Sequence, residues 1–577
     1  MSHLQKLTQS NRISLLGTLL APLLPAFLTN NPLPNGAPWS LLNSHTNYYE
    51  ESPNTGVIRA YDFTISRGKL APDGVQREVL MINGGFPGPT IEANWGDIIQ
   101  VTVHNQIEDE GVALHWHGFL QTSTPWEDGS PAVTQCPIAP GKSYTYKLDA
   151  NLYGTSWYHS HYSAQYAGGL TGPIVIHGPP SIEIEKYDID IGPIMLSDWY
   201  HAEYFDLVEQ TMANTDFVPV FADNNLINGK MNFNCSKLPP RHNSTPPCFD
   251  NAGISKFRFK RGKKHLLRLI NSGSEGLQRF SIDGHILKVV SNDFVAINPY
   301  DTKVVTLGIG QRTDVVVTAN GELDAYWMRS NVSTICGLNN SPDAVAAIYY
   351  DDVDDKLKPA SQAWNVPDPG TCANDDLAIT TPVMELRVPE HDLYLEMPID
   401  LFVNGSGVTL WSMDGVSFRG NYNSPTLLLA NLGNLTFEEE WNVRNLKGSK
   451  SVRVNVINNS DISHPIHMHG FNMYILHEGP GRWDGTIINP HNPIRRDVYQ
   501  LRPNGHLVIQ FDAAANPGVW PFHCHIAWHV SAGFFIQFLT NPEEVAKMRI
   551  PNVVAETCRE WAEWTGTNIP AQIDSGL

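Results

Sequence analysis

The chain is short of charge, and of positive charge most of all. Charged residues make up 17% of it, with 39 Lys and Arg against 59 Asp and Glu, for a formal net charge of -20. Nucleic acid and anionic membrane would both repel such a surface, which excludes them as partners. Long apolar runs are missing too. The best candidate, ISLLGTLLAPLLPAFL from Ile13 to Leu28, contains Pro22 and Pro25 and is too short for a comfortable membrane span. With Lys6 and Arg12 ahead of it, it reads as a secretory signal over 1–30, with a retained anchor as the alternative since no clean small-residue cleavage site follows, and then an N-terminal extension over 31–60. The expected mature protein is extracellular, free of the membrane or held at the cell wall. Seven Asn-x-Ser/Thr sequons agree with secretion: Asn234, Asn243, Asn331, Asn339, Asn404, Asn434 and Asn458.

Cysteine is scarce and odd in number, at seven. Cys136, Cys235, Cys248, Cys336, Cys372 and Cys558 lie in turn-rich or terminal segments and can form three bridges, in pairings the sequence leaves open. Cys524 is left over, in the stretch WPFHCHIAWHVSAGFFIQF.

What is abundant is aromatic residues (10%), Gly and Pro, the composition of many short strands and turns. The fold class expected is all-β. Apolar alternation recurs in GDIIQVTVHNQI, SYTYKLDA, FRFKRGKKHLLRLINSG and SVRVNVINNS. Three of these end in a similar strand and asparagine turn, as if once per module, which points to a threefold repeat of one β-sandwich. The expected modules span 61–178, 181–350 and 384–541, with an Asp- and Pro-rich linker over 351–383. A helix and tail follow over 542–577.

Four His-x-His pairs stand out: His115 with His117, His159 with His161, His467 with His469, and His523 with His525. Random placement of 22 histidines would give about one such pair. Two pairs fall in the first module, two in the third and none in the second. Residues i and i+2 of a strand share a face, so each pair offers two imidazoles to one side. Eight imidazoles meeting at a module interface would serve two or three metal ions. Alternation turns Cys524 to the opposite side, toward His464 and His529, and Cys plus two His is the trigonal set of a blue-copper site. An electron reaching a copper held by Cys524 could then pass through the backbone to either neighbouring imidazole.

With NGGFPGPTIEANWGD, HWHG, WYHSH, NNLINGK, HPIHMHG and HCHIAWHVSAGF in this order, the chain resembles the multicopper oxidases, and among them the laccases of filamentous ascomycetes. The resemblance implies three cupredoxin-like Greek-key β-sandwiches and four copper ions. It implies His464, Cys524 and His529 as ligands of the blue, type 1 copper and His115 and His467 as ligands of the type 2 ion. His117, His159, His161, His469, His523 and His525 would hold the type 3 pair. Phe534 takes the axial position, where a methionine would be a weak ligand; its presence favours a high reduction potential.

The resemblance also implies that Asp223 accepts the phenolic proton beside His529, with Trp528 and Trp411 lining the pocket, and that Asp128 supplies an acid near the trinuclear centre, with Glu127 its competitor. It pairs Cys136 with Cys558 and Cys336 with Cys372, which leaves Cys235 with Cys248. The final residues Asp-Ser-Gly-Leu resemble a processed tail that inserts toward the trinuclear centre, with no extension left to remove. The activity implied is laccase: one-electron oxidation of phenolic or related aromatic reductants coupled to reduction of dioxygen to water, as in lignin degradation. The alternatives are a pathway-specific phenol oxidase of fungal pigment or secondary metabolism, a ferroxidase, and a non-catalytic copper-binding protein. A monomer is expected.

Overall fold

The computed structural model describes residue 39 and residues 42–179, 185–213, 219–238, 246–566 and 572–577. The signal-like segment and Asn243 lie outside the described residues. None of the helices described is long and apolar enough to cross a membrane.

Three β-sandwiches follow one another along the chain, and they share a construction. In each, one strand takes a parallel partner on one side and an antiparallel partner on the other: Ile98–Asn105, Lys264–Asn271 and Ser451–Asn458. These are the three segments whose sequences look alike, so the repeat in sequence is a repeat in topology.

The asparagine that ends each strand explains the likeness. Asn105, Asn271 and Asn458 are all buried, at 0%, 0% and 3% exposure. Asn105 Nδ2 donates to the carbonyls of Glu110 and Ile138. Asn271 Nδ2 donates to Gly276 and Leu307, and Asn458 Nδ2 to Ile462 and Arg502. Each side-chain oxygen accepts the backbone N–H two residues on. An amide is the one uncharged side chain that offers two donors and an acceptor to such a corner, and a buried carbonyl left unpaired would cost about 1–3 kcal/mol. Asn458 is therefore a structural corner and not an exposed glycan acceptor, a correction to the sequon reading. Asn339 is also engaged, donating 3.0 Å to the carbonyl of Asn224, and Asn331 donates to Asp343.

The second sheets of the first and third sandwiches carry the histidines. Strand Leu114–Trp116 pairs with Gly154–Ser160, setting His115 opposite His159. Strand His464–Met468 pairs with Gly518–Cys524, setting His467 opposite His523 and Ile466 opposite Cys524. Every residue of these two strands of the third sandwich is buried, which is why they read as unbroken apolar runs around their histidines.

Three disulfides form, Cys136–Cys558, Cys235–Cys248 and Cys336–Cys372, and Cys524 is free and buried. Cys136–Cys558 joins the first sandwich to helix Asn552–Thr565 across 422 residues of sequence, the closure with the most chain entropy to remove from the unfolded state.

The second sandwich supplies no histidine pair but clamps the other two. Arg312, fully buried, donates to both oxygens of Asp497 at 2.5 and 2.7 Å, and Arg496 donates to both oxygens of Asp293 at 2.9 Å. These crossed ion pairs tie the second sandwich to the third, and removing one partner would leave a buried charge unpaired at a cost of about 3–5 kcal/mol.

Candidate metal centre

Two clusters of ligand-type side chains stand back to back around the end of strand Gly518–Cys524. In the smaller, Cys524 Sγ lies 3.6 Å from His464 Nδ1 and 3.6 Å from His529 Nδ1, and the two nitrogens are 3.2 Å apart. The larger contains the eight paired imidazoles. His115, His117 and His467 converge, as do His117, His159 and His525, and His161, His469 and His523. His523 and His525 belong to the large cluster while the intervening Cys524 belongs to the small one, as strand alternation predicts.

The donor chemistry fits soft and borderline metal ions. Burial, reinforced by neighbouring imidazoles, pushes His117, His159, His161, His467, His469 and His525 well below the ordinary histidine range, and His523 down to about 4. The rings are neutral, the form that ligates. Second partners fix which nitrogen is available. His115 Nδ1, His159 Nδ1, His467 Nδ1 and His523 Nδ1 donate to the backbone carbonyls of Asp128, Ser160, Asp497 and Cys524 at 2.7–2.9 Å. His117 is held from its other nitrogen, Nε2, by Asp497 Oδ1 at 3.1 Å. The atoms left over, His115 Nε2, His117 Nδ1, His159 Nε2 and His467 Nε2, with both nitrogens of His161 and His525, are buried and unpartnered among the described residues. Each such orphan would cost about 1–3 kcal/mol unless something binds there. Burial raises the Cys524 thiol well above its ordinary value, so only a bound cation would make it a thiolate.

The surroundings of the small cluster are aromatic. Trp411 lies 4.8 Å from His464 and 4.7 Å from His529 between ring centres, and Phe534 lies 4.8 Å from His464. Trp411 is 2% exposed and packs against both rings of this cluster from within. Trp528 is 4% exposed and its Nε1 donates to the Tyr200 hydroxyl at 3.3 Å. His529 is 8% exposed, and burial alone pushes it down to about 3.

Asp128 caps the short helical turn Pro125–Glu127 and turns its carboxylate to His469 Nδ1 at 3.0 Å and the Ser130 hydroxyl at 2.7 Å. Glu127 points elsewhere, accepting from Trp126 Nε1, the Lys147 N–H and the Tyr144 hydroxyl. Asp223 stands at the head of strand Asn224–Ile227, with its side chain 32% exposed, and accepts the His201 N–H at 2.7 Å. The tail is anchored: Ser163 donates to Asp574 and to the carbonyl of Gly576, and Leu577 helps line a small cavity with His159, His161, His523 and His525. Asp497, which spacing did not single out, holds two histidines at once, one by its carboxylate and one by its carbonyl.

Family models described as multicopper oxidase match residues 64–181, 190–352 and 410–544. Similar curated proteins include Laccase-2 of Botryotinia fuckeliana, 36% identical over 96% of both chains. Another is the laccase of Cryphonectria parasitica, 35% identical over 97% of this chain and 96% of its own. A solved laccase from Botrytis aclada superposes with a TM-score of 0.86 at 35% identity, covering 93% of this chain and 98% of that one. The chain belongs to the multicopper oxidases. Within them it is an oxidoreductase of the laccase type, and its metal is copper.

Proposed function

We propose that this laccase-type enzyme oxidises phenolic or related aromatic reductants by one electron at His529 and delivers four such electrons to dioxygen across the Cys524 tripeptide. The carrying observation is the sharing of one strand end, with Cys524 in the small cluster and both its neighbours in the large one. His464, Cys524 and His529 would hold one copper, His115 and His467 a second, and the remaining six histidines a pair. Bound copper supplies the one-electron redox steps and the reduction of dioxygen.

The other residues position, exclude and move protons. Trp411 and Phe534 keep water and further donors from the small cluster, favouring the reduced ion and hence a strongly oxidising site. Asp223 would take the proton a phenol must shed with its electron. Asp128, against His469, is the acid for dioxygen reduction. Asp497 and the backbone carbonyls set ring orientation, and such outer partners are worth about 10–100-fold in metal affinity or activity. Leu577 narrows access to the large cluster from the solvent side. The boundaries 61–178, 181–350 and 384–541 remain our division of the modules, and secretion our reading of the acidic, disulfide-bonded chain.

The test is an absorption spectrum of the copper-loaded protein together with oxygen uptake on a simple diphenol. An intense blue band with uptake is expected, and absence of either would overturn the proposal. A pathway-specific phenol oxidase is the second reading, favoured by the small exposed edge of His529, at 8%. Iron(II) and a panel of phenols of increasing bulk as competitors separate a ferroxidase, a selective oxidase and a broad laccase.

A further inference from the structure

The surroundings of Asp223 contain a charged constellation that neither copper cluster uses. His201 is 5% exposed and stands two residues after strand Ile189–Trp199. Its backbone N–H donates to Asp223 Oδ2 at 2.7 Å, and its ring Nδ1 is 3.8 Å from that same oxygen. On the far side, ring Nε2 lies 2.8 Å from Asp73 Oδ2, which also accepts from Asn224 Nδ2 at 3.0 Å. Asp73 is fully buried, and the His201 and Phe233 ring centres lie 4.6 Å apart with the rings nearly perpendicular. A carboxylate only accepts, so in the neutral ring Nε2 carries the proton given to Asp73, and Nδ1, too far from Asp223 for a hydrogen bond at 3.8 Å, keeps its lone pair. The charged groups facing the pair are Asp73, Asp223, Glu203 and Arg77, whose field reaches all three acids. Tyr200, the preceding residue, accepts from Trp528, the neighbour of His529. The constellation thus borders the point of electron entry.

We propose that His201, oriented by Asp73, is a positioning residue that shares the substrate proton with Asp223 and so favours reductants that lose a proton with their electron. The proposal deepens the phenol-oxidising reading and rests on it. The phenolic O–H bond breaks, the electron leaves through His529, and the proton passes to the Asp223 carboxylate. A small rotation of that carboxyl closes the 3.8 Å gap to Nδ1. The imidazolium then formed lies against the Asp73 carboxylate, the phenoxyl radical departs neutral, and Asp223, the solvent-facing member of the three, returns the proton to water.

The experiment compares the full-length, copper-loaded protein with His201→Asn and Asp73→Asn, each on a methoxyphenol and on ferrocyanide, which gives up an electron but no proton. Expected for His201→Asn is a fall of about 100-fold in kcat/KM for the phenol, with a changed pH profile, an unchanged ferrocyanide rate and an unchanged blue band. Asp73→Asn, which frees the tautomer while keeping the ring, should fall in the same direction by less. A parallel fall on both reductants, or no phenol-specific change in the pH profile, would overturn the proposal. If the unaltered protein oxidised neither reductant, the phenol-oxidase reading would fail first and take this inference with it. Near-ultraviolet circular dichroism identifies a variant that has lost its fold, and the milder Asp73→Asn then decides.

Discussion

The two clusters around Cys524 are built from one strand end, yet their surroundings have little in common. The small cluster is lined by Trp411 and Phe534, and burial alone accounts for the depressed His529. In the large cluster most rings have an oxygen behind them, from Asp128, Asp497, Ser160 or Cys524. The mainly aromatic shell, with the Ser460 hydroxyl 3.2 Å from His464 Nε2 as a polar partner, brings no carboxylate into hydrogen-bond contact with His464, Cys524 or His529 among the described residues, so the small site is suited to move electrons alone. A shell of carboxylates and carbonyls orients many ligands and keeps acids within reach, which suits a site that must supply protons to dioxygen. What differs is the partner set, not the depth, since both sites are buried.

The largest break in this contrast is Cys524→Ser. The hydroxyl is a poor copper ligand and the through-backbone link is lost, so oxygen uptake should drop to background and the blue band vanish. The three disulfides should stay intact, because Cys524 takes no part in them; uptake that survived would end the two-site assignment. Next is Asp128→Asn, which keeps shape but removes the acid. Reoxidation of the reduced protein by dioxygen should slow by about 10- to 100-fold, while anaerobic reduction by a diphenol is unchanged. Equal slowing of both half-reactions would assign Asp128 a structural role.

The clustering of the histidines was readable because a metal site needs particular residue types at the strand spacing of two, and His115 through His525 repeat that signal four times. The sandwich repeat was readable for a similar reason, since each copy needs an asparagine at the same corner. The same chemistry misled at Asn458, where a buried corner also satisfies the Asn-x-Ser pattern. Asp497 and His201 were not readable. Each acts through contacts 380 and 128 residues distant in sequence, His117 to Asp497 and Asp73 to His201, and a lone Asp or His carries no local pattern. Trp411 lies against His529 as expected, but its depth was not readable, because a sequence does not distinguish the inner from the outer face of an aromatic wall.

A smaller effect sharpens the electron side. Phe534→Met offers the small cluster a thioether, and a redox titration should give a lower potential with the pH dependence of dioxygen reduction unaltered. A potential that stayed or rose would mean that the aromatic shell, not the missing axial ligand, sets the driving force.

The smallest tests the proton side through a neighbour. Glu127 adjoins Asp128 but faces Trp126 and Tyr144, and burial raises it to about 7 from an ordinary 4.5. Between those values the folded protein holds a proton that the unfolded chain releases, so stability falls as pH rises through this window, by at most about 3 kcal/mol. Glu127→Gln cannot ionise, so the difference in unfolding midpoint between pH 5 and pH 8 should shrink, with dioxygen reoxidation unchanged. Two acids side by side would then be separated by direction alone: one turned to His469 affects turnover, and one turned to the sandwich interior affects only the pH dependence of folding. Slower reoxidation in Glu127→Gln would undo that separation and return the choice of proton donor to both.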